Sequence, residues 1–174
     1  MRIALYGPTG AGKSTLAESL RRIYGLRTIS TGEFIRREFP NDPLTGGFSD
    51  REKQILEYVE RELLQDNLVL DGFPRHIEQA KWLFGVGEPI SHVFLPITAP
   101  LARKRILLRG RADMSKFDEQ YAAQSEATRL MHDWYHTLPI GDHFHAYGTW
   151  EPEAVAKWIY TSLAEPNLLG KEQV

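Results

Sequence analysis

The stretch Gly7-Pro8-Thr9-Gly10-Ala11-Gly12-Lys13-Ser14-Thr15 constrains this chain more than any other. It fits G-x-x-x-x-G-K-[ST], whose glycines let the backbone curl until several N–H groups point inward at phosphate oxygens. Such a loop works between a strand and a helix, and both are legible. Ile3-Ala4-Leu5-Tyr6 is a short apolar run closed by Gly7 and Pro8, which reads as a buried strand. Residues 13–24 suit a helix with Leu16, Leu20 and Ile23 on one side. The N-terminal end of that helix adds positive potential where phosphates would sit. Gly10, Ala11, Gly12, Lys13, Ser14 and Thr15 are therefore the expected nucleotide-binding residues. Lys13 is expected to reach the β and γ phosphates, and Ser14 to offer its hydroxyl to Mg²⁺.

Strands and helices then alternate to the end. Arg27–Ser30 reads as a second strand, with Thr31 expected to cap the helix after it. Pro40, Pro43, Gly46 and Gly47 mark a breaker-rich loop. Ser49 with Glu52 has the form of a capping box, and Ile55, Val59 and Leu63 recur four apart on the helix it would open. Leu68-Val69-Leu70-Asp71 is a continuous apolar strand, of the kind found at the centre of parallel sheets. Pro74 is placed near the start of the next helix. His92–Ile97 is another strand, and Thr98 is expected to cap a helix running to about Arg109. Residues 110–116 look irregular. A long helix follows, with Phe117, Tyr121, Gln124, Thr128, Met131, Tyr135 and Leu138 in steps of four and three. Phe144–Tyr147 is the last strand, and Pro152 opens the last helix. This alternation predicts a parallel sheet covered on both faces.

The composition narrows the rest. A chain of 174 residues suits one domain, 1–174. Net charge is −2 from 21 basic and 23 acidic side chains, so no global positive field draws it to nucleic acid or membrane. There is no cysteine, which excludes disulfides and thiolate metal sites. No secretory leader or 20-residue apolar span is evident, and a cytoplasmic location is the expectation. His132 and His136 lie four apart on one helix face, as metal ligands can. The glutamate of a metalloprotease motif is absent, however, and the reading goes against a metal there. His143 and His145, on one face of the last strand, read as structural. Trp82, Trp134 and Trp158 read as core, and Trp150 as more open.

Asp71 closes an apolar strand, where a phosphate-loop protein places the carboxylate that holds Mg²⁺ or its water. Strand-ending Asp residues are also common turn formers. The segment Leu70-Asp71-Gly72-Phe73-Pro74-Arg75, followed by Gln79, is far more specific. It resembles the signature of the adenylate kinase and UMP/CMP kinase family. The loop at 7–15 and Ser30-Thr31-Gly32-Glu33-Phe34-Ile35-Arg36 resemble that family too. Arg105-x-x-x-Arg109 and Arg111-Ala112-Asp113 look like the arginines around its lid. The resemblance runs in order from residue 1 to about 160.

It implies an α/β phosphate-loop fold of three layers with a five-stranded parallel sheet. It also implies a short monophosphate-binding insertion, about residues 31–66, and a very short lid, about 109–117. The implied activity is reversible phosphoryl transfer from Mg-ATP to a nucleoside monophosphate, with AMP preferred. By similarity, Arg36 and Arg75 grip the acceptor phosphate, and Thr31 and Gln79 contact its base. Arg105 packs on the ATP adenine, while Arg109 and Arg111 reach the transferring group. Guanidinium groups suit that role, because transfer needs two anions aligned and their charge neutralised. For Arg103 and Arg129 the expectation is a solvated surface charge. The expected cofactors are ATP and Mg²⁺. The expected partners are small-molecule nucleotides, not nucleic acid or membrane, and the chain is expected to act as a monomer.

Three departures from the family pattern stand out. Ser14 occupies a position where adenylate kinases usually carry Gly. Only Gly110 separates Arg109 from Arg111. The arginine that usually follows on the next helix falls near Ala122 and Ala123 and is missing. Two other readings therefore stay open: a phosphate-loop kinase for another small acceptor, as in shikimate-kinase-like proteins of this size, or a nucleotide-dependent switch or slow ATPase. Paired Arg36 and Arg75 favour a kinase, since a switch needs no second phosphate pocket.

Overall fold

The computed structural model describes residues 1–39, 48–87, 89–110, 114–138, 143–146 and 150–164. In chain order the elements are β1 (Arg2–Tyr6), α1 (Lys13–Tyr24), β2 (Arg27–Ser30), α2 (Thr31–Glu38), α3 (Phe48–Leu63) and β3 (Leu68–Asp71). They continue with α4 (Ile77–Gly85), β4 (Ser91–Phe94), α5 (Ala99–Leu108), α6 (Phe117–Tyr135), β5 (His143–His145) and α7 (Pro152–Ala164). All strand pairs are parallel, in the order β2-β3-β1-β4-β5. The predicted five-stranded parallel sheet is therefore the fold.

Side chains of a strand point alternately to its two faces, and here both faces are buried. Ala4 and Tyr6 of β1, with Leu68 and Leu70 of β3 and Phe94 of β4, enter one core. Ile55, Val59 and Leu63 of α3, Leu83 of α4, and Met131 and Tyr135 of α6 close it. Ile3 and Leu5, with Val69 and Val93, enter the other, against Leu16, Ala17 and Leu20 of α1 and Val155 and Ile159 of α7. One sheet between two helical layers gives the three-layer arrangement that the alternation predicts. Within the first core, Tyr6 Oη donates to Tyr135 Oη at 3.1 Å and lies 2.9 Å from His92 Nδ1, which ties α6 to the central strands.

Several local expectations are corrected. Ile23 is 40% exposed. At the last turn of α1 the neighbour is α7, and Tyr24 is covered instead, its ring stacked 3.9 Å from that of Tyr160. The cap of α2 is Ser30, whose Oγ accepts from Glu33 N, and not Thr31, whose hydroxyl is taken by Gly72 O. The helix α3 already begins at Phe48, one residue ahead of Ser49. Pro74 follows a cis Phe73–Pro74 bond and precedes α4, which starts only at Ile77 after His76. Thr98 holds the N-cap position of α5 without a side-chain cap bond. The strand predicted from His92 to Ile97 is Ser91–Phe94, and the last strand is His143–His145. The loop at Pro40–Gly47 and Arg111, Ala112 and Asp113 lie outside the described residues.

Candidate active site

Parallel order puts every strand's C-terminal end at one edge of the sheet, where ligand crevices of open α/β sheets form. The register sets Leu5 beside Asp71, and Asp71 beside Ser30. The phosphate loop leaves β1 at that edge, and α2 and the Gly72–Arg75 turn leave β2 and β3 beside it. Residues from three distant segments thus meet without any of them being adjacent in sequence.

The loop has the curl its glycines predict. Gly10 has φ +80°, and a Cβ there would stand 2.8 Å from Ala102 O on α5, so only glycine fits. Ala11 N–H donates back to Pro8 O at 3.2 Å, and α1 starts at Lys13. The Lys13 ammonium folds over its own loop and donates to Gly7 O at 2.6 Å and Pro8 O at 3.0 Å. Its pKa is pushed down to about 8, chiefly by loss of hydration; Asp71 opposes the shift and Arg75 adds to it. The lysine is thus a half-buried cation, held by two carbonyls of its own loop at the wall of a cleft.

Ser14 Oγ donates to Asp71 Oδ2 at 2.7 Å. A hydroxyl and a carboxylate side by side are hard oxygen donors, the set a Mg²⁺ ion takes alongside phosphate oxygens and water. These two residues fit such an ion.

Two clefts flank the loop. One, of about 670 Å³, is lined by Lys13, Ser14, Asp71, Gly72, Arg75 and Arg36, with Gln124, Thr128 and Met131 of α6 across from them. Arg75 Nη2 and Arg36 Nη1 lie 3.4 Å and 3.5 Å from the point where a Cβ on Gly32 would stand, so the two guanidinium groups meet over that glycine. Arg75 Nε donates to Gly72 O at 2.9 Å. Partial loss of hydration within the cleft lowers the Arg75 pKa, opposed by Asp71 and assisted by Arg51 and Arg36, although the side chain keeps solvent access. Gly72 has φ +79°, and a Cβ there would press 3.3 Å from Thr31 Oγ1, which donates to Gly72 O at 2.6 Å. Gln79 stands behind Arg75: its Oε1 accepts from Arg75 N at 2.7 Å and its Nε2 donates to Glu52 at 2.8 Å. Thr31 and Gln79 are buried and do not line this cleft; they stand behind Gly72 and Arg75, which do.

The second cleft, of about 320 Å³, lies on the other side of the loop. Ala11, Gly12, Thr15, Arg105, Arg109 and Trp150 are among its walls. Arg105 Nη1 donates to Ala11 O at 3.4 Å, and Arg109 Nη2 donates to Thr15 Oγ1 at 2.6 Å. Of the predicted nucleotide-binding residues, Ala11, Gly12, Thr15 and Arg105 thus share one cavity with Arg109, while Lys13 and Ser14 line the first cleft. Arg103 and Arg129 are engaged elsewhere, with Asp118 and with Glu126 and Asp133, as surface charges.

Sequence reasoning missed Gln124 and Thr128 as cleft residues, and Glu52 as the partner of Gln79. The signal for the first two was present: they are the polar members of an otherwise apolar stripe along α6. Ala122 and Ala123, where the family's further arginine would fall, are exposed.

Comparison with known proteins agrees with this geometry. A family described as an AAA domain matches residues 6–120. An adenylate kinase of Prochlorococcus marinus (strain MIT 9515) is 31% identical over 160 residues, 82% of this chain and 88% of its own length. One from Mycobacterium leprae (strain Br4923) is 34% identical over 131 residues, covering 65% of this chain and 72% of that one. The solved shikimate kinase of Aquifex aeolicus superposes with a TM-score of 0.61 over 98% of this chain and 100% of its own, at 21% identity, which bears on the fold. With a match at that identity spanning most of both chains, this protein belongs to the adenylate kinase family of phosphate-loop kinases and is a phosphotransferase.

Proposed function

We propose that the protein transfers the terminal phosphoryl group of Mg-ATP reversibly to a nucleoside monophosphate, with AMP the preferred acceptor. One observation carries this reading: Arg36 and Arg75 converge over Gly32, inside the cleft that Lys13 and Asp71 also line. Two convergent guanidinium groups make a second anion site, separate from the loop that cradles the donor. A hydrolytic switch has no use for one.

The roles follow. The loop backbone and the N-terminus of α1 hold the donor's phosphates, with its adenosine in the cavity walled by Arg105 and Trp150. Arg36 and Arg75 hold the acceptor's phosphate in line with it. Phosphoryl transfer asks little covalent work of the protein, so alignment and neutralised charge are the catalysis. Lys13 swings from Gly7 O and Pro8 O to the β and γ oxygens, a move that exchanges two carbonyl contacts for charged ones. Arg109 and Arg111 supply charge to the transferring group. Ser14 and Asp71 would hold Mg²⁺, which supplies charge neutralisation between the phosphates. Residues of about 31–66 form the acceptor-binding segment, and about 109–117 a short lid.

The preference for AMP is supported by the adenylate kinase that matches this chain over most of both lengths. Gln79 acts from behind the acceptor site: buried and bonded to Arg75 N and Glu52, it fixes the turn that carries Arg75. Formation of ADP from Mg-ATP, followed with AMP, CMP, UMP and their deoxy forms, tests the proposal. The highest kcat/KM is expected with AMP. A pyrimidine winner would overturn the base assignment, and no transfer to any monophosphate would overturn the kinase reading.

A further inference from the structure

Away from the nucleotide clefts, three histidines gather at the seam between α6 and β5. His132 and His136 stand one turn apart on α6, and His145 reaches them from β5, with one ring nitrogen from each within 4.8 Å of the others. His132 Nε2 is 2.9 Å from His136 Nε2 and 3.3 Å from His145 Nε2. Nitrogens about 2.0–2.1 Å from a tetrahedral ion stand about 3.3–3.4 Å apart. The His132–His145 spacing has that value, and a few tenths of an ångström of side-chain adjustment would bring the 2.9 Å His132–His136 pair to it. We propose that His132, His136 and His145 form a binding site for a Zn²⁺ ion that clips α6 to β5.

The chemistry around the cluster fits. His132 Nδ1 lies 3.2 Å from Asp133 Oδ1. With its proton on Nδ1, donated to that carboxylate, His132 turns an Nε2 lone pair toward the other two rings, which is the arrangement a histidine ligand takes. The other oxygen of Asp133 accepts from Arg129 Nη1 at 2.8 Å, which pairs that guanidinium with carboxylate. Phe94 stacks on His145 and meets His132 edge-on, which fixes two of the rings against the sheet. His136 is exposed at the rim of the cluster, with its ligand nitrogen within 4.8 Å of the other two. Imidazole selects Zn²⁺ and its transition-metal neighbours over Mg²⁺, which prefers oxygen. Solvent takes the fourth position. The glutamate whose absence argued against a metal at the sequence level belongs to hydrolytic sites; a structural ion needs ligands only, and the third comes from a strand.

The ion would join α6 to β5 in the folded chain and, binding only there, would stabilise the fold by mass action. It would also hold in place the helix that lends Gln124 and Thr128 to the 670 Å³ cleft.

The test titrates Zn²⁺ into the full chain against a chromophoric chelator, with millimolar Mg²⁺ present, and follows Tm in parallel. Wild type is expected to bind one Zn²⁺ and gain thermal stability. His145→Gln and the exposed His136→Gln should each lose at least about tenfold in affinity, together with the Zn²⁺-dependent rise in Tm. Asp71→Asn, which alters the only other proposed metal site, should bind as wild type does. Absence of binding in wild type overturns the proposal, as does loss in Asp71→Asn with both histidine variants unchanged.

Discussion

Ser14 and Asp71, 57 residues apart in the chain, are joined by a hydrogen bond of 2.7 Å across the end of the sheet. The bond exists because β1 and β3 are adjacent and parallel, so the helix after one and the last residue of the other open at the same edge. It holds the two oxygen donors at one place before any ion arrives. Asp71→Asn keeps the shape and the acceptor oxygen but removes the charge. It is expected to lower kcat at least about tenfold and to raise the Mg²⁺ concentration needed for half-maximal rate. Rates of ADP formation across a Mg²⁺ series measure both, and an unchanged Mg²⁺ dependence removes Asp71 from the ion site.

Lys13 links activity to stability. Lys13→Met should cost at least about 10² in rate, since it removes the charge between the β and γ phosphates. It should also change how stability depends on pH. The folded pKa of Lys13 is pushed down to about 8, from an ordinary value of 10.5. Below pH 8 both folded and unfolded chains carry the proton, and the folded chain bears the full penalty of a partly desolvated cation. Between 8 and 10.5 the folded chain releases it first, so this group's contribution to stability rises with pH. The Tm of the nucleotide-free wild type should therefore gain on that of Lys13→Met as pH climbs from 8 to 10. A constant Tm difference across that window contradicts the reading.

Arg75 and Arg105 stand on opposite sides of the loop, so their effects should separate. Arg75→Ala should weaken the monophosphate at least about tenfold, the worth of a charge-assisted pair, and leave ATP nearly unchanged. Arg105→Ala should do the reverse, with a loss of about three- to tenfold for ATP. Calorimetric titration of each nucleotide alone reads both. Equal losses for the two nucleotides in either variant would place the clefts wrongly.

The short lid we propose at about 109–117 should leak. Lids exclude water while the phosphoryl group is in transit. Here Gly110 alone separates Arg109 from Arg111, and α6 turns neutral Gln124 and Thr128 toward the cleft, while Arg129 is taken by Glu126 and Asp133. Phosphate release from Mg-ATP without acceptor is expected to be measurable beside ADP formation with saturating AMP. A hydrolysis rate below about one thousandth of the transfer rate, on the scale of lid effects, would show that the site seals.

Much of this was legible in the sequence, because it rests on local rules. The pattern at 7–15 demands a strand before it and a helix after it, and Leu68–Asp71 with its Gly72-Phe73-Pro74-Arg75 turn is specific as a string. The alternation of apolar runs set the five parallel strands and both cores. Element ends were less legible. Thr31 and Ser49 look like caps by type, yet Gly72 O captures the hydroxyl of Thr31, and α3 starts one residue ahead of Ser49. Tertiary structure alone decided which residues meet. Arg36 and Arg75 lie on different segments and converge because β2 and β3 are neighbours. Gln79 reads as a base contact, but folding turns its oxygen to Arg75 N and its nitrogen to Glu52. His132 and His136 were visible as a pair, whereas His145 joins them only because β5 lies beside β4, under α6. Periodicity reports which face of an element is buried; which side chain from a distant element arrives there depends on strand order, and strand order is a property of the folded sheet.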